Sequence, residues 1–158
     1  MKKYEFTGEE KEFCGHTLRR IRALVAIGKT VSPGDLGGWI ETESNLSQDG
    51  DAWVGGNAEV YGNAEVCGKA EVCGNAVVCG NSDYSVFQNT WSSMRWFTYT
   101  ASNKMWKVGC FFGTGDELIK KAYADSQLSG MCYESIVLAQ EAIEKAKENK
   151  LKGNSAEV

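Results

Sequence analysis

Five consecutive hexapeptides decide the fold of this chain: Ala52-Trp-Val-Gly-Gly-Asn57, Ala58-Glu-Val-Tyr-Gly-Asn63, Ala64-Glu-Val-Cys-Gly-Lys69, Ala70-Glu-Val-Cys-Gly-Asn75 and Ala76-Val-Val-Cys-Gly-Asn81. A strict period of six residues matches neither the helical period of about 3.6 nor the two-residue alternation of a single strand. It is typical of a solenoid, in which short repeats stack and bury a shared core.

The repeats also predict which side chains form that core. We expect the third position of each hexapeptide to point inward, which places Val54, Val60, Val66, Val72 and Val78 in the core. A second inward position accepts only a small side chain and contains Ala52, Ala58, Ala64, Ala70, Ala76 and then Ser82. The glycine at the fifth position tolerates positive φ and therefore suits the corner between successive strands.

The hexapeptides resemble those of the hexapeptide-repeat family, which folds as a left-handed parallel β-helix with three hexapeptides per coil. Five copies would form fewer than two coils. Ile40 and Leu46 are also six residues apart and extend the pattern towards the N-terminus before a two-residue slip. A stack this short needs cover at both ends, from the flanking segments or from another subunit.

Three regions follow from these patterns. Residues 1–45 are predicted to form an N-terminal β cap, residues 46–83 the β-helix and residues 84–158 a C-terminal α+β domain. The fold class is therefore mainly β, with a short left-handed β-helix capped by a β segment before it and by a β-hairpin and two helices after it.

Within the N-terminal cap, Thr7-Gly-Glu-Glu10 predicts a hairpin turn, and Gly15 predicts a second turn. The following run, residues 17–28, fits a strand and also one face of a helix. Small hexapeptide-repeat proteins of phages and prophages contain stretches similar to Gly34-Asp-Leu-Gly-Gly-Trp-Ile-Glu41, Asn45-Leu-Ser-Gln48 and Gly109-Cys-Phe-Phe-Gly-Thr-Gly-Asp-Glu-Leu118. That resemblance favours the strand, and it implies no particular activity because most members lack an assigned one.

Aromatic residues dominate the chain after the repeats. Nine of the seventeen lie between Tyr84 and Phe112. Two runs rich in strand-forming residues, 94–100 and 105–111, predict an antiparallel hairpin, and Tyr84 begins a third predicted strand.

Two helices are predicted after this sheet. The spacing of Thr114-Gly-Asp-Glu117 is that of a capping box and predicts the start of the first. The second is predicted to follow Ser129-Gly130. Its buried stripe is predicted to contain Cys132, Ile136, Ala139 and Ile143.

Composition restricts the functions available to the chain. The net charge of −4 argues against nonspecific nucleic-acid binding. No run of about 18 apolar residues and no apolar leader is present, so we expect neither a membrane partner nor secretion, and a cytoplasmic location. The repeat cysteines Cys67, Cys73 and Cys79 lie on different faces of a three-sided coil and cannot converge on a metal. We expect no metal and no cofactor.

The sequence gives little support to the hypothesis that the protein is an enzyme. Acyltransferases similar in fold use a histidine as general base, whereas the carbonic anhydrases that share the fold need three histidines. This chain has one, His16, which lies outside the repeats in a predicted turn. We therefore predict no catalytic residues and expect the protein not to be an enzyme.

Arginines beside aromatic residues suggest a binding site instead. Arg19, Arg20 and Arg22 form the densest basic cluster, and Arg95 precedes Trp96 in the aromatic domain. These five residues are the predicted ligand-binding residues, because guanidinium groups bind phosphates through paired hydrogen bonds and stack on rings. The alternative is that the arginines pair with glutamates of the N-terminal cap or of the repeats, and that the aromatic residues form a small core.

Three classes of function remain open. The first is a noncatalytic, homo-oligomeric phage or prophage protein that acts in counter-defence by capturing a host protein or a small anionic ligand such as a nucleotide signal. The second is an acyltransferase-like enzyme, and the third is a structural component of a phage particle.

Overall fold

The computed structural model describes residues 1–156, which form a mixed α+β fold of mostly β-sheet with two C-terminal helices. The strands are β1 Tyr4–Phe13, β2 His16–Ala23, β3 Leu36–Ile40, β4 Trp53–Val54, β5 Glu59–Val60, β6 Glu71–Val72, β7 Val77–Val78, β8 Tyr84–Gln88, β9 Trp96–Thr100, β10 Met105–Val108 and β11 Phe111–Gly113. The helices are α1 Gly115–Asp125 and α2 Gln127–Ala156. The last two residues of the predicted C-terminal domain lie outside the described residues.

The hexapeptides form short parallel strands that pair with the third hexapeptide along the chain. Strand β4 pairs with β6, and β5 pairs with β7, each with partners 18 residues apart. Strand β3 pairs with β5 at a separation of 20 residues, and a single bridge joins Leu46 to Val66 at the same separation. The predicted two-residue slip before the first hexapeptide is therefore confirmed.

Burial confirms the predicted inward rows of valines and alanines. The five repeat valines and Ala52, Ala58, Ala70 and Ala76 are fully buried, and Ala64 is 2% exposed. The prediction for Ser82 is wrong, because Ser82 is exposed in a 3₁₀ turn, Asn81–Asp83. The Asp83 carboxylate accepts hydrogen bonds from the backbone N–H groups of Cys79 and Gly80, which turns the chain out of the repeat.

The N-terminal cap differs from the prediction in its first turn. Strand β1 continues through the predicted hairpin at Thr7–Glu10, which forms a bulge with Gly8 at φ 95°. The chain reverses at Gly15 instead, as the second predicted turn requires, and residues 16–23 form a strand. Strands β1, β2 and β3 pair antiparallel, so the cap and two of the repeat strands form one five-stranded sheet in the order β1-β2-β3-β5-β7.

Flanking segments cover both ends of the repeat stack. At the N-terminal end the Lys3 ammonium donates to the Ala52 carbonyl at 2.8 Å, and the Tyr4 hydroxyl donates to the Leu46 carbonyl at 2.8 Å. At the other end, three backbone N–H groups that would serve a further coil donate to side-chain oxygens: Glu65 to Asn81 at 2.8 Å, Glu71 to Thr98 at 3.0 Å and Val77 to Ser102 at 2.8 Å. These five backbone groups at the ends of the repeats are thereby paired within the chain.

The C-terminal domain packs α1 and α2 on an antiparallel sheet in the order β11-β10-β9-β8. The predicted hairpin, the third strand and the capping box at Thr114 are confirmed. The predicted strand 105–111 is wrong in its extent, because β10 ends at Val108 and β11 follows as a fourth strand paired with it. Helix α2 begins at Gln127 and passes through Gly130, where an added Cβ would lie 2.1 Å from the Tyr123 ring. This glycine allows the two helices to approach closely and does not mark a helix start.

The buried stripe of α2 differs from the prediction in its C-terminal half. Cys132 and Ile136 are buried as predicted, but Ala139 and Ile143 are exposed. Tyr133, Val137 and Gln140 complete the buried stripe instead. After Gln140 the helix contains no buried residue up to Ser155.

Candidate functional site

A loop between β8 and β9 displays large apolar side chains to solvent. We call residues 89–96 the tryptophan loop. Its Trp91 and Met94 are each 60% exposed, and Trp96 is 39% exposed. Large apolar side chains exposed together mark interaction sites, and tryptophan and methionine are enriched at protein interfaces.

Hydrogen bonds within the loop fix its shape. The fully buried Asn89 donates from its backbone N–H to the Arg95 carbonyl at 3.0 Å. Its side chain donates to the Ser92 hydroxyl at 2.6 Å and accepts from the Ser92 N–H at 3.2 Å. The loop is therefore closed on itself and does not depend on a partner for its conformation.

Two further contacts attach the loop to helix α2. The Trp91 indole N–H donates to the Cys132 sulfur at 2.9 Å, and the Tyr133 hydroxyl donates to the Ser93 hydroxyl at 3.3 Å. Leu128 lies one helical turn before Cys132, on the same face of α2, and is 60% exposed. Met131 is 55% exposed in the same turn of the helix but lies on a different face. We call the tryptophan loop together with Leu128 the docking surface.

Backbone strain is present at the tip of the loop. Met94 has φ 58°, in the left-handed region that side chains other than glycine rarely adopt. Such conformations persist where surrounding structure holds them, and they cluster at binding sites. Here the bond from Asn89 to Arg95 spans the strained residue and holds it.

The docking surface carries one charge. Arg95 is exposed, and within residues 1–156 its guanidinium forms no ion pair. Residues 89–96 contain no aspartate or glutamate. The surface therefore combines apolar rings with an arginine that is free to bind a carboxylate, a combination typical of interaction hot spots.

The structure brings together only two of the five predicted ligand-binding residues. Arg95 and Trp96 lie on the docking surface, whereas Arg19, Arg20 and Arg22 lie on β2 in the other sheet. Their alternative interpretation is confirmed for Arg19, which pairs with Glu10 at 3.0 Å.

The other two arginines of β2 are also engaged. Arg22 pairs with Glu5 on the neighbouring strand, and the Arg20 guanidinium lies 5.3 Å from the centroid of the Trp39 ring. Sequence reasoning missed Trp91, Met94, Leu128 and Met131 as surface residues. The sequence signal for Trp91 and Met94 is that they are an apolar pair inside a serine-containing segment, Trp91-Ser-Ser-Met94.

His16 belongs to a separate cluster at the turn between β1 and β2. Its Nδ1 lies 2.9 Å from Glu41 Oε1, while Glu41 Oε2 accepts from the Gly62 N–H at 2.8 Å. These hydrogen bonds, the one with His16 first, lower the pKa of Glu41. The imidazole ring also packs on Tyr61, with the ring centroids 4.6 Å apart.

Two of the three repeat thiols, Cys73 and Cys79, are poor nucleophiles. Burial raises the pKa of Cys73 to about 11. A hydrogen bond to the Asp83 carboxylate, at 3.3 Å, is the main cause that raises the pKa of Cys79. Since the thiolate is the reactive form, both groups are held in the unreactive thiol form at neutral pH.

Among residues 1–156, no three histidine, cysteine, aspartate or glutamate side chains converge in the arrangement of a metal site. No helix in the described part of the chain has the length and apolar character needed to cross a bilayer. No protein-family model matches the chain, and none of the curated proteins matches it. Its function has to be inferred from the residues themselves.

Proposed function

We propose that this is a noncatalytic binding protein that captures a host protein on its docking surface. The observation that carries the proposal is a pair of 60% exposed apolar side chains, Trp91 and Met94, on a loop fixed by hydrogen bonds to itself and to α2. A loop ordered in advance loses little entropy on binding, which favours tight association. The partner is expected to offer an apolar pocket for Trp91 beside a carboxylate for Arg95.

A partner other than a second copy fits the charge of this surface. A two-fold contact pairs a surface with itself, which would bring the unpaired Arg95 of each copy into the same interface. Like charges at a desolvated contact cost several kcal/mol. Tyr61, the one aromatic residue at the fourth position of the hexapeptides, packs against Phe13 and His16 of its own chain. Self-association stays a prediction that light scattering at micromolar concentration tests.

We also propose that the parallel strands belong to one left-handed β-helix of phage or prophage type. Partners 18 residues apart correspond to three hexapeptides per coil, and the hand follows from the resemblance of the repeats. On this proposal the β-helix is a rigid support, and the protein acts in the host cytoplasm against a component of the host defence.

One observation favours the enzyme alternative. The bond between His16 Nδ1 and Glu41 orients the imidazole, and Nε2 has no hydrogen-bond partner within residues 1–156, as a general base for acyl transfer requires. Against this, His16 packs on Tyr61 as part of the contact between the β1–β2 turn and the repeats. A His16→Ala variant distinguishes the enzyme hypothesis from the capture hypothesis, because capture on the docking surface does not use His16.

The binding test compares four forms of the protein against one partner. The wild type is used to isolate the partner from a bacterial extract, and affinities of the purified pair are then measured by calorimetry. We expect Trp91→Ser to weaken binding by at least about 2 kcal/mol, roughly thirtyfold, because a desolvated tryptophan anchors an interface. Leu151→Ser, which alters an exposed leucine at the far end of α2, and His16→Ala are expected to bind normally.

Arg95→Glu provides an independent variant on the same surface and is expected to weaken binding by about tenfold or more through charge reversal. The proposal fails if the extract yields no protein that the Trp91→Ser variant loses. It also fails if His16→Ala abolishes the interaction while the docking surface variants retain it.

A further inference from the structure

A cleft in the C-terminal domain lies apart from the docking surface and shares no residue with it. It has a volume of about 410 Å³ and is bounded by the N-terminus of α1, strands β9 and β10, and helix α2. This volume is within the range of about 300 to 1,000 Å³ that small-molecule sites occupy.

A buried amide in the wall of this cleft has an unused acceptor. Gln140 is only 1% exposed, and its Nε2 donates to Glu144 Oε1 at 2.8 Å. Its Oε1 has no hydrogen-bond partner among the described residues. An unsatisfied buried acceptor is costly and rare in native proteins, so a ligand that donates a hydrogen bond would remove the cost.

The opposite wall offers hydrogen-bond donors. At the start of α1, the Thr114 hydroxyl accepts from the Glu117 N–H, while the N–H groups of Gly115 and Asp116 have no acceptor within residues 1–156. An added Cβ at Gly115 would lie 2.9 Å from Val137, so glycine is needed here for α1 to begin this close to α2. A first helical turn of this kind favours an anionic group.

The charges around the cleft are mixed. Two lysines, Lys104 and Lys145, and four carboxylates line it, and neither lysine forms an ion pair within residues 1–156. Burial first, and then Glu144 and Glu141, raise the pKa of Tyr99 in the cleft wall. Three of the four carboxylates, those of Glu141, Glu144 and Glu148, lie on α2 with a single lysine, so this wall is negative and suits an ammonium group. The opposite wall carries Asp116 in the first turn of α1, and there Lys104 and the helical N–H groups are the partners for a carboxylate.

The aromatic rings of the cleft do not offer a stacking surface for a nucleobase. Trp106 is 2% exposed and packs against Tyr99, Phe97 and Phe87, with ring centroids 5.1, 6.3 and 6.0 Å away. The excess of carboxylates also repels a phosphate dianion. Both features disfavour a nucleotide in this cleft.

We propose that the cleft binds a small zwitterion, a free α-amino acid or a short peptide. Its ammonium group donates to Gln140 Oε1 beside the carboxylates of α2, and its carboxylate binds the first turn of α1 beside Lys104 or Lys145. This site is independent of the docking surface, so either proposal can fail without the other.

The test is calorimetry on the full chain with named probes at millimolar concentration. The probes are the twenty common amino acids and glycyl dipeptides, with acetate, ethylamine and adenosine monophosphate as controls that lack one or both features. At least one zwitterion is expected to bind, and each control is expected to bind at least about tenfold more weakly because it loses a charge-assisted contact.

Two substitutions of similar size at Gln140 separate ligand binding from folding. Gln140→Leu removes the acceptor and is expected to weaken zwitterion binding by about tenfold or more, without lowering the melting temperature. Gln140→Glu replaces the donor to Glu144 with a second buried carboxylate, so it is expected to lower the melting temperature and shows what a disturbed fold does to binding. Lys145→Ala, at the exposed rim, provides a variant that does not disturb the core and should weaken binding severalfold.

Three outcomes would overturn the proposal. The first is that no amino acid or dipeptide binds the wild type. The second is that adenosine monophosphate or acetate binds as well as the best zwitterion. The third is that Gln140→Leu and Lys145→Ala both bind that zwitterion with wild-type affinity.

Discussion

Replacing Val66 with aspartate is expected to unfold the repeat region. Val66 is fully buried and lies beside Leu46 in the stack, where its backbone N–H donates to the Asn45 carbonyl at 2.9 Å. A carboxylate at this position would lose its hydration without gaining a partner. We expect a loss of at least about 4 kcal/mol in the free energy of unfolding, measured by urea denaturation followed by circular dichroism.

The neighbouring residue provides the control. Cys67 is exposed, and Cys67→Ser is expected to change the free energy of unfolding by no more than about 0.5 kcal/mol. Similar losses in the two variants would contradict the alternation of buried and exposed positions along the hexapeptide. A stable Val66→Asp variant with the wild-type spectrum would contradict the stacking itself.

Asn45→Ala is expected to have the next largest effect. Asn45 is 1% exposed, and its side chain accepts from the Thr42 N–H at 2.9 Å and donates to the carbonyls of Gly62 at 3.2 Å and Ala64 at 2.9 Å. These bonds join the segment before the repeats to the second and third hexapeptides. Alanine would leave the buried groups unpaired, at a cost of about 2 to 4 kcal/mol in the free energy of unfolding.

Asn57→Ala is the matched control for this measurement. Asn57 is exposed, and its backbone N–H donates to Gly74, while its side chain forms no hydrogen bond within residues 1–156. Guanidinium denaturation of both variants gives the comparison. Equal midpoints for Asn45→Ala and Asn57→Ala would show that the buried amide does not join the coils.

Periodicity explains why the repeat region was predictable. Each hexapeptide repeats the same local constraint, so the buried rows of Val60 and Ala58 follow from their position in the repeat. The predicted first turn of the N-terminal cap was wrong because the path of the chain there is set by the pairing of β1 with β2. Thr7 and Gly8 have the composition of a turn, but pairing of β1 with β2 on both sides of the bulge keeps them in one strand. Contacts distant in the sequence overrode the local signal.

The candidate site was predictable only in part, for a similar reason. Arg95 and Trp96 are recognisable as an arginine beside an aromatic ring, but exposure of Trp91 depends on how the loop packs on α2. The basic cluster on β2 is recognisable in the sequence as a candidate site, but in the structure its arginines are engaged with other residues of the chain. Arg22 pairs with Glu5 because the register of β1 and β2 places them opposite one another, and that register is not visible in the sequence.

The central claim is capture without turnover on the docking surface, and a molar-ratio titration of the purified partner tests it most directly. The partner's activity is measured against increasing amounts of wild type, His16→Ala and Trp91→Ser, at two incubation times. Capture predicts that the partner's activity falls linearly with added protein and stops falling at a fixed molar ratio that is the same at both incubation times. The His16→Ala variant should inhibit the partner as the wild type does, and the Trp91→Ser variant should not inhibit it. Capture would be contradicted if substoichiometric amounts of the wild type continued to reduce the partner's activity with time and the His16→Ala variant did not.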